Sequence, residues 1–98
     1  MRINWTNEAL MRLFEMEDFI SQDSPERAEK FVDQIIKHAE TLSDKPLIGR
    51  TVPEISNPDI RELIFKKYRI VYRIKGNSLY ILTVFEGHRS LRIDEIEV

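Results

Sequence analysis

An α+β domain, with a helical hairpin on one face of a twisted antiparallel sheet, is predicted by three features of this 98-residue chain. Its first half holds two stretches with apolar residues at helical spacing, joined by a very short break. Its second half holds three stretches rich in β-branched and aromatic residues. Two-residue turns separate those three. Helices first and strands after predict that the two kinds of element form separate layers.

Arg2-Ile3-Asn4-Trp5 alternates, so it predicts an opening strand with Ile3 and Trp5 on one face. Thr6 suits an N-cap, and Glu8 places a negative charge in the first turn, where the helix dipole favours it. From Asn7 to about Ser21, Ala9, Leu13, Met16 and Ile20 recur at helical spacing, with Leu10 and Phe14 widening the stripe. After Gln22-Asp23, Ser24-Pro25-Glu26 restarts a helix with a capping serine and proline at the first helical position. Ala28, Phe31, Val32, Ile35, Ala39 and Leu42 form its stripe. So short a break allows only a helical hairpin with both stripes turned the same way.

Leu47 to Pro58 holds Gly49, Pro53 and Pro58 and predicts a loop from helices to sheet. Strands are predicted at Ile60–Phe65, Tyr68–Lys75 and Ser78–Phe85, turning at Lys66-Lys67 and Gly76-Asn77 as an antiparallel meander. Leu79–Phe85 is apolar on both faces, which predicts the best-protected strand. Beyond Glu86-Gly87, where glycine permits a kink or bulge, Leu91, Ile93 and Ile96 predict a short strand or irregular tail. No linker divides the chain, so residues 1–98 read as one domain.

An apolar fraction of 42% and a charged fraction of 33% are those of a folded, soluble protein. The absence of cysteine excludes disulfides, a thiolate nucleophile and a sulfur-based zinc site. With no signal peptide and no apolar run of membrane-spanning length, a cytoplasmic location is expected. The net charge of −2 hides an asymmetry: residues 1–44 carry −5, residues 45–92 carry +6 and residues 93–98 carry −3. A basic block between acidic ones predicts a surface that meets an anionic partner.

That block centres on Tyr68-Arg69-Ile70-Val71-Tyr72-Arg73. As a strand it sends Tyr68, Ile70 and Tyr72 to one face and Arg69, Val71 and Arg73 to the other. The tyrosines read as core beneath the helices, not as platforms for stacked bases. Arg50, Arg61, Arg69, Arg73 and Arg89 form the predicted binding surface, since guanidinium groups fork onto carboxylates and phosphates. The alternative is solvated arginines on an open sheet. For acid/base chemistry only Glu54, Glu86 and His88 lie close in sequence to these positions, whereas His38 reads as structural or solvated. One histidine and one carboxylate predict no metal site, and isolated Gly49, Gly76 and Gly87 form no phosphate-cradling loop. No cofactor is expected.

Taken together and in order, several segments resemble the RelE/ParE superfamily of toxins from type II toxin–antitoxin systems, also known as plasmid stabilisation proteins. They are Ser24-Pro25-Glu26-Arg27-Ala28, Pro46-Leu47-Ile48-Gly49-Arg50, Val52-Pro53-Glu54, Ile60-Arg61-Glu62-Leu63, Tyr68-Arg69-Ile70-Val71-Tyr72, and Ile81-Leu82-Thr83-Val84 leading to Gly87-His88-Arg89. The resemblance implies two helices on one sheet face, a concave face opposite, and a short, partly disordered cognate antitoxin that wraps the toxin. RelE-like members cleave messenger RNA on the ribosome, and ParE-like members inhibit DNA gyrase. Were this chain a nuclease, the resemblance would place Arg69 and Arg89 on the scissile phosphate, and the base would come from Glu54, Glu86 or His88, the acid/base residues close to them in sequence. Arg61-Glu62 stands where RelE has lysines, and no tyrosine follows Tyr80, so the details are ParE-like. Growth arrest through gyrase is the expected function, and ribosome-dependent cleavage or a non-toxic antitoxin-binding role is the alternative.

Overall fold

The computed structural model describes residues 1–87. Its elements are β1 (Arg2–Trp5), α1 (Asn7–Ser21), α2 (Pro25–Glu40), a 3₁₀ turn at Thr41–Ser43, β2 (Arg50–Thr51), β3 (Ile60–Phe65), β4 (Tyr68–Lys75) and β5 (Ser78–Glu86). One sheet runs in the order β1-β5-β4-β3-β2. β3, β4 and β5 are the expected antiparallel meander, while β1 joins β5 in parallel, Ile3 opposite Leu79 and Trp5 opposite Ile81. Parallel neighbours need a crossover connection, and the helical hairpin lies on that path. The short strand β2, paired with β3 through Arg50–Glu62 and Thr51–Arg61, lies within what the sequence reads as loop. The tail expected at Leu91, Ile93 and Ile96 lies outside the described residues, as do His88 and Arg89.

Both helix starts follow their sequence signals. The Thr6 hydroxyl accepts from Ala9 N–H at 3.1 Å and donates to the Ile81 carbonyl at 2.9 Å, so one cap also ties α1 to β5. Ser24 accepts from Arg27 N–H at 3.2 Å, with Pro25 at the first helical position. The stripes meet the sheet: Ala9, Leu13, Phe31, Ile35, Ala39 and Leu42 pack with Tyr68, Ile70, Tyr72, Leu79, Ile81 and Val84. Phe14 does not widen the α1 stripe; it is 53% exposed. It sits one residue past Leu13, about 100° further round the helix, and turns to solvent.

The opposite face of the sheet carries a second, smaller core of Val52, Ile60, Val71, Leu82 and Phe85, to which the β2–β3 loop contributes Val52 and Ile55. β5 therefore has apolar neighbours on both sides, as its composition predicts. Its alternation is further scrambled by a register shift: Tyr72 pairs with Ile81 but Val71 pairs with Thr83, leaving Leu82 as an extra residue. Ile81 and Val84 consequently both reach the helix side although they are an odd number of residues apart.

Both hairpin turns begin with a left-handed residue, Gly76 at φ +60° and Lys66 at φ +53°. Glycine adopts this freely, whereas a lysine's Cβ crowds the following carbonyl.

Candidate functional site

The register of the sheet decides which of the basic residues can act together. Arg50 stands opposite Glu62, Glu62 opposite Val71, and Arg69 opposite both Ile64 and Phe85, so Arg50, Glu62 and Arg69 share the face away from the helices. Arg73, opposite Ile60 and Tyr80, lies on that face too and is half-buried. Arg61 does not: it stands opposite Tyr72, on the helix side. The strand bounds and the two-residue turn already contained this result, because pairing Phe65 with Tyr68 pairs Arg61 with Tyr72.

Arg69 is only 5% exposed, being on the central strand of the sheet with apolar neighbours on both of its faces. Its Nε donates to Glu62 Oε1 at 2.5 Å, while Nη1 and Nη2 fork onto Glu54 Oε2 and Oε1 at 3.0 and 2.8 Å. The guanidinium carbon lies 4.9 Å from the centre of the Phe85 ring, a cation–π contact. Glu62, its side chain wholly buried, accepts from Arg50 Nε at 2.7 Å on its other oxygen. Glu54, Arg69, Glu62 and Arg50 thus alternate in charge across the sheet face. The hydrogen-bonded Glu54 carboxylate holds the Arg69 guanidinium above its usual pKa, against the lowering effect of burial, and Glu62 adds to the rise. Each buried charge faces an opposite one, the condition under which buried charges are tolerated.

A second set of bonds fixes the loop that brings Arg50 and Glu54 to the sheet. The buried Tyr72 hydroxyl donates to the Pro46 carbonyl at 2.7 Å and accepts from Gly49 N–H at 3.1 Å. Burial pushes the Tyr72 hydroxyl up in pKa, partly offset by the Gly49 hydrogen bond and the charge of Arg61. Arg61 Nη1 donates to the Gly49 carbonyl at 2.9 Å. A Cβ at position 49 would lie 2.5 Å from the Tyr72 hydroxyl and 2.6 Å from the Glu62 carbonyl oxygen. Gly49→Ala is therefore expected to lower stability by about 1–3 kcal/mol through overpacking, read as a lower midpoint in urea unfolding.

Two surface features flank this network. A shallow depression at the β3–β4 turn is lined by Arg50, Ile64, Lys66, Lys67, Arg69 and Gly87. A larger groove runs beside α1, α2 and the end of β5, where Phe19, Ile20, Phe31, Tyr68 and Phe85 supply apolar lining and charges of both signs border it, Arg27 being paired with Asp23 at 3.0 Å. Of the acid/base residues the sequence offers, Glu54 is engaged by Arg69, and Glu86 stands 3.9 Å from Lys67. His38 packs its ring 4.0 Å from Phe65, centroid to centroid, far from these charges in role. Among the described residues, no three His, Asp or Glu side chains gather as a metal site would require, and no helix is long and apolar enough to cross a membrane.

What sequence reasoning missed was that Glu54, read there as a candidate base, and Glu62 both pair with Arg69. Glu62 follows Arg61 and was legible as an inward partner only once the register was drawn. Glu54 comes from a loop whose path no local pattern specifies.

Comparison with known proteins places this geometry. The family model of the ParE toxin of type II toxin–antitoxin systems matches residues 3–91. A Sinorhizobium fredii protein (strain NBRC 101917 / NGR234), Y4kP, described as a candidate toxin, is 37% identical over 90 residues, 90% of each chain. A solved structure of the chromosomal ParDE toxin–antitoxin system from P. aeruginosa superposes with a TM-score of 0.74 at 26% identity, covering 88% of this chain and 95% of that one. The two helices on a five-stranded, mostly antiparallel sheet, and the family match over nearly the whole chain, identify this protein as a member of the ParE toxin family of type II toxin–antitoxin systems.

Proposed function

We propose that this toxin arrests growth by binding DNA gyrase in the cytoplasm, without cutting nucleic acid, and that a cognate antitoxin silences it. The observation that carries this reading is the engagement of Arg69. A nuclease needs guanidinium groups aimed at the phosphate whose charge grows in the transition state. Here all three nitrogens of Arg69 are bonded to Glu54 and Glu62, and the only loop carboxylate proposed as a base is one of those two partners. Releasing either group for catalysis would uncover a buried charge. The −5 balance of residues 1–44 adds an unfavourable field for any approach to the ribosomal RNA.

The antitoxin reading is supported by the groove beside α1 and α2. Phe19 on its lip is 75% exposed, the apolar lining continues through Ile20 and Phe31, and the cations Arg12, Arg27, Lys30, Lys66 and Lys67 outnumber the carboxylates Glu15, Asp23 and Glu86 around it. An amphipathic segment carrying acidic residues matches that combination. Arg50 and Arg73 are the arginines on the face away from the helices that could meet such a partner directly; Arg89 is proposed for the same surface from sequence alone.

Purified toxin added to gyrase is expected to inhibit supercoiling of a relaxed plasmid, while primer extension on ribosome-bound message shows no new ends. Codon-specific cuts with supercoiling unaffected would overturn the proposal.

A further inference from the structure

We propose that the tip of the β3–β4 hairpin is a docking site for an acidic peptide segment, whose carboxylates are taken by Arg50, Lys66 and Lys67 around the exposed side chain of Ile64. This rests on the reading that the chain works by binding proteins, and it names a second surface, apart from the groove beside α1 and α2, that such a partner would use.

Four observations converge on this tip. Ile64 is 48% exposed and is the apolar side chain lining a depression whose other side chains are Arg50, Lys66, Lys67 and Arg69. Arg50 is held by its Nε on the buried carboxylate of Glu62, so its side chain is oriented in advance while 60% of it remains exposed. Its two terminal nitrogens are left for a partner, and little conformational entropy remains to be lost on binding. Lys66 and Lys67 border both this depression and the groove on the helix side, and their ammonium groups rest 5.4 and 5.7 Å from the centres of the Phe65 and Tyr68 rings. Finally, Lys66 occupies a left-handed position that the next hairpin fills with Gly76. A side chain kept where glycine is less strained points to a use for that side chain.

The local charge is positive. Glu62 is satisfied by Arg50 and Arg69, Glu54 is taken up by Arg69, and Glu86 lies 3.9 Å from Lys67, against the four cations Arg50, Lys66, Lys67 and Arg69. An acidic peptide fits this better than a nucleic acid does. The apolar side chain that lines the depression, Ile64, is aliphatic, no aromatic residue among the described residues lines it, and Phe85 on the same face is buried, so no ring is presented on which a base could stack.

The test is a titration of uniformly ¹⁵N-labelled full-length toxin with a short synthetic peptide of alternating glutamate and leucine, and separately with a thymidine oligonucleotide of equal charge. The peptide is expected to shift the amides of Ile64, Lys66, Lys67 and Gly87. Lys66→Glu combined with Lys67→Glu is expected to weaken it about tenfold or more, and Lys66→Arg with Lys67→Arg to hold it within about twofold. Lys66→Gly, which relieves the turn, is expected to raise the thermal midpoint while weakening the peptide about two- to threefold, and it reads the same contact should the double reversal not fold. Unchanged affinity in both the reversal and glycine variants, or an oligonucleotide that competes as well as the peptide at the same amides, would overturn the proposal. Peptide binding lost by the reversal while gyrase inhibition persists supports the site and separates it from the toxin's action; no peptide binding by the parent toxin removes this site and leaves the gyrase proposal standing.

Discussion

Arg69→Ala is expected to lower the unfolding free energy by about 3–5 kcal/mol, the usual effect of removing one partner of a buried ion pair. The reason is what remains behind. Glu62 keeps a wholly buried side chain whose Oε1 loses its donor, and its other oxygen retains only the bond to a largely exposed Arg50. Glu54 is less severely affected because it is partly exposed and can turn to water, so Glu54→Gln should cost only about 1–2 kcal/mol. Urea titrations followed by the fluorescence of Trp5, the only tryptophan, measure both. A loss below about 1 kcal/mol for Arg69→Ala would mean that water reaches Glu62 in the folded protein.

Tyr72→Ala should have an effect of the same size, about 3–5 kcal/mol, because it empties a fully buried site between the sheet and the helices. Tyr72→Phe separates the ring from the hydroxyl. It keeps the packing but leaves the Gly49 N–H and the Pro46 carbonyl without their partner, at about 1–3 kcal/mol. The two variants also differ in alkali. Burial raises the Tyr72 pKa in the folded state. A raised value means that this group's contribution is complete below the unfolded tyrosine pKa of about 10 and is lost as pH climbs through the folded one. The parent should therefore lose stability in that window through Tyr72, and Tyr72→Phe should lack that part of the decline.

The two predictions show which parts of the fold could be read from residues in order. The two helices, their caps and the three meander strands follow from local patterns: apolar spacing, Thr6, Ser24-Pro25 and the turns at Lys66-Lys67 and Gly76-Asn77. Period two in Tyr68–Arg73 likewise places the tyrosines under the helices. What period two does not tell is how an arginine is used. Arg69 shares its face with Val71 and Arg73 as expected, yet it is buried, because the β2–β3 loop folds Val52 and Ile55 over that face and delivers Glu54 to the guanidinium. Such a contact joins residues 15 apart through a loop and has no local signature. Arg61 is a different case, since its position opposite Tyr72 was implicit in the turn. Grouping it with the other arginines by charge alone overlooked the register. Phe14 shows the limit of stripe reading on a helix: an apolar residue at the margin is buried only if a neighbour reaches it.

The role proposed for Arg69 is to hold the sheet and its covering loop together, with no part in cutting RNA. It is tested most directly by replacing the buried pair with apolar side chains, Arg69→Met together with Glu62→Leu, and scoring growth arrest on induction without antitoxin. A buried ion pair exchanged for apolar residues of similar volume commonly leaves stability within about 2 kcal/mol or raises it, so the double variant is expected to fold. The double variant is also expected still to arrest growth. A variant that folds with parental stability yet no longer arrests growth would contradict it and return Arg69 to the chemistry.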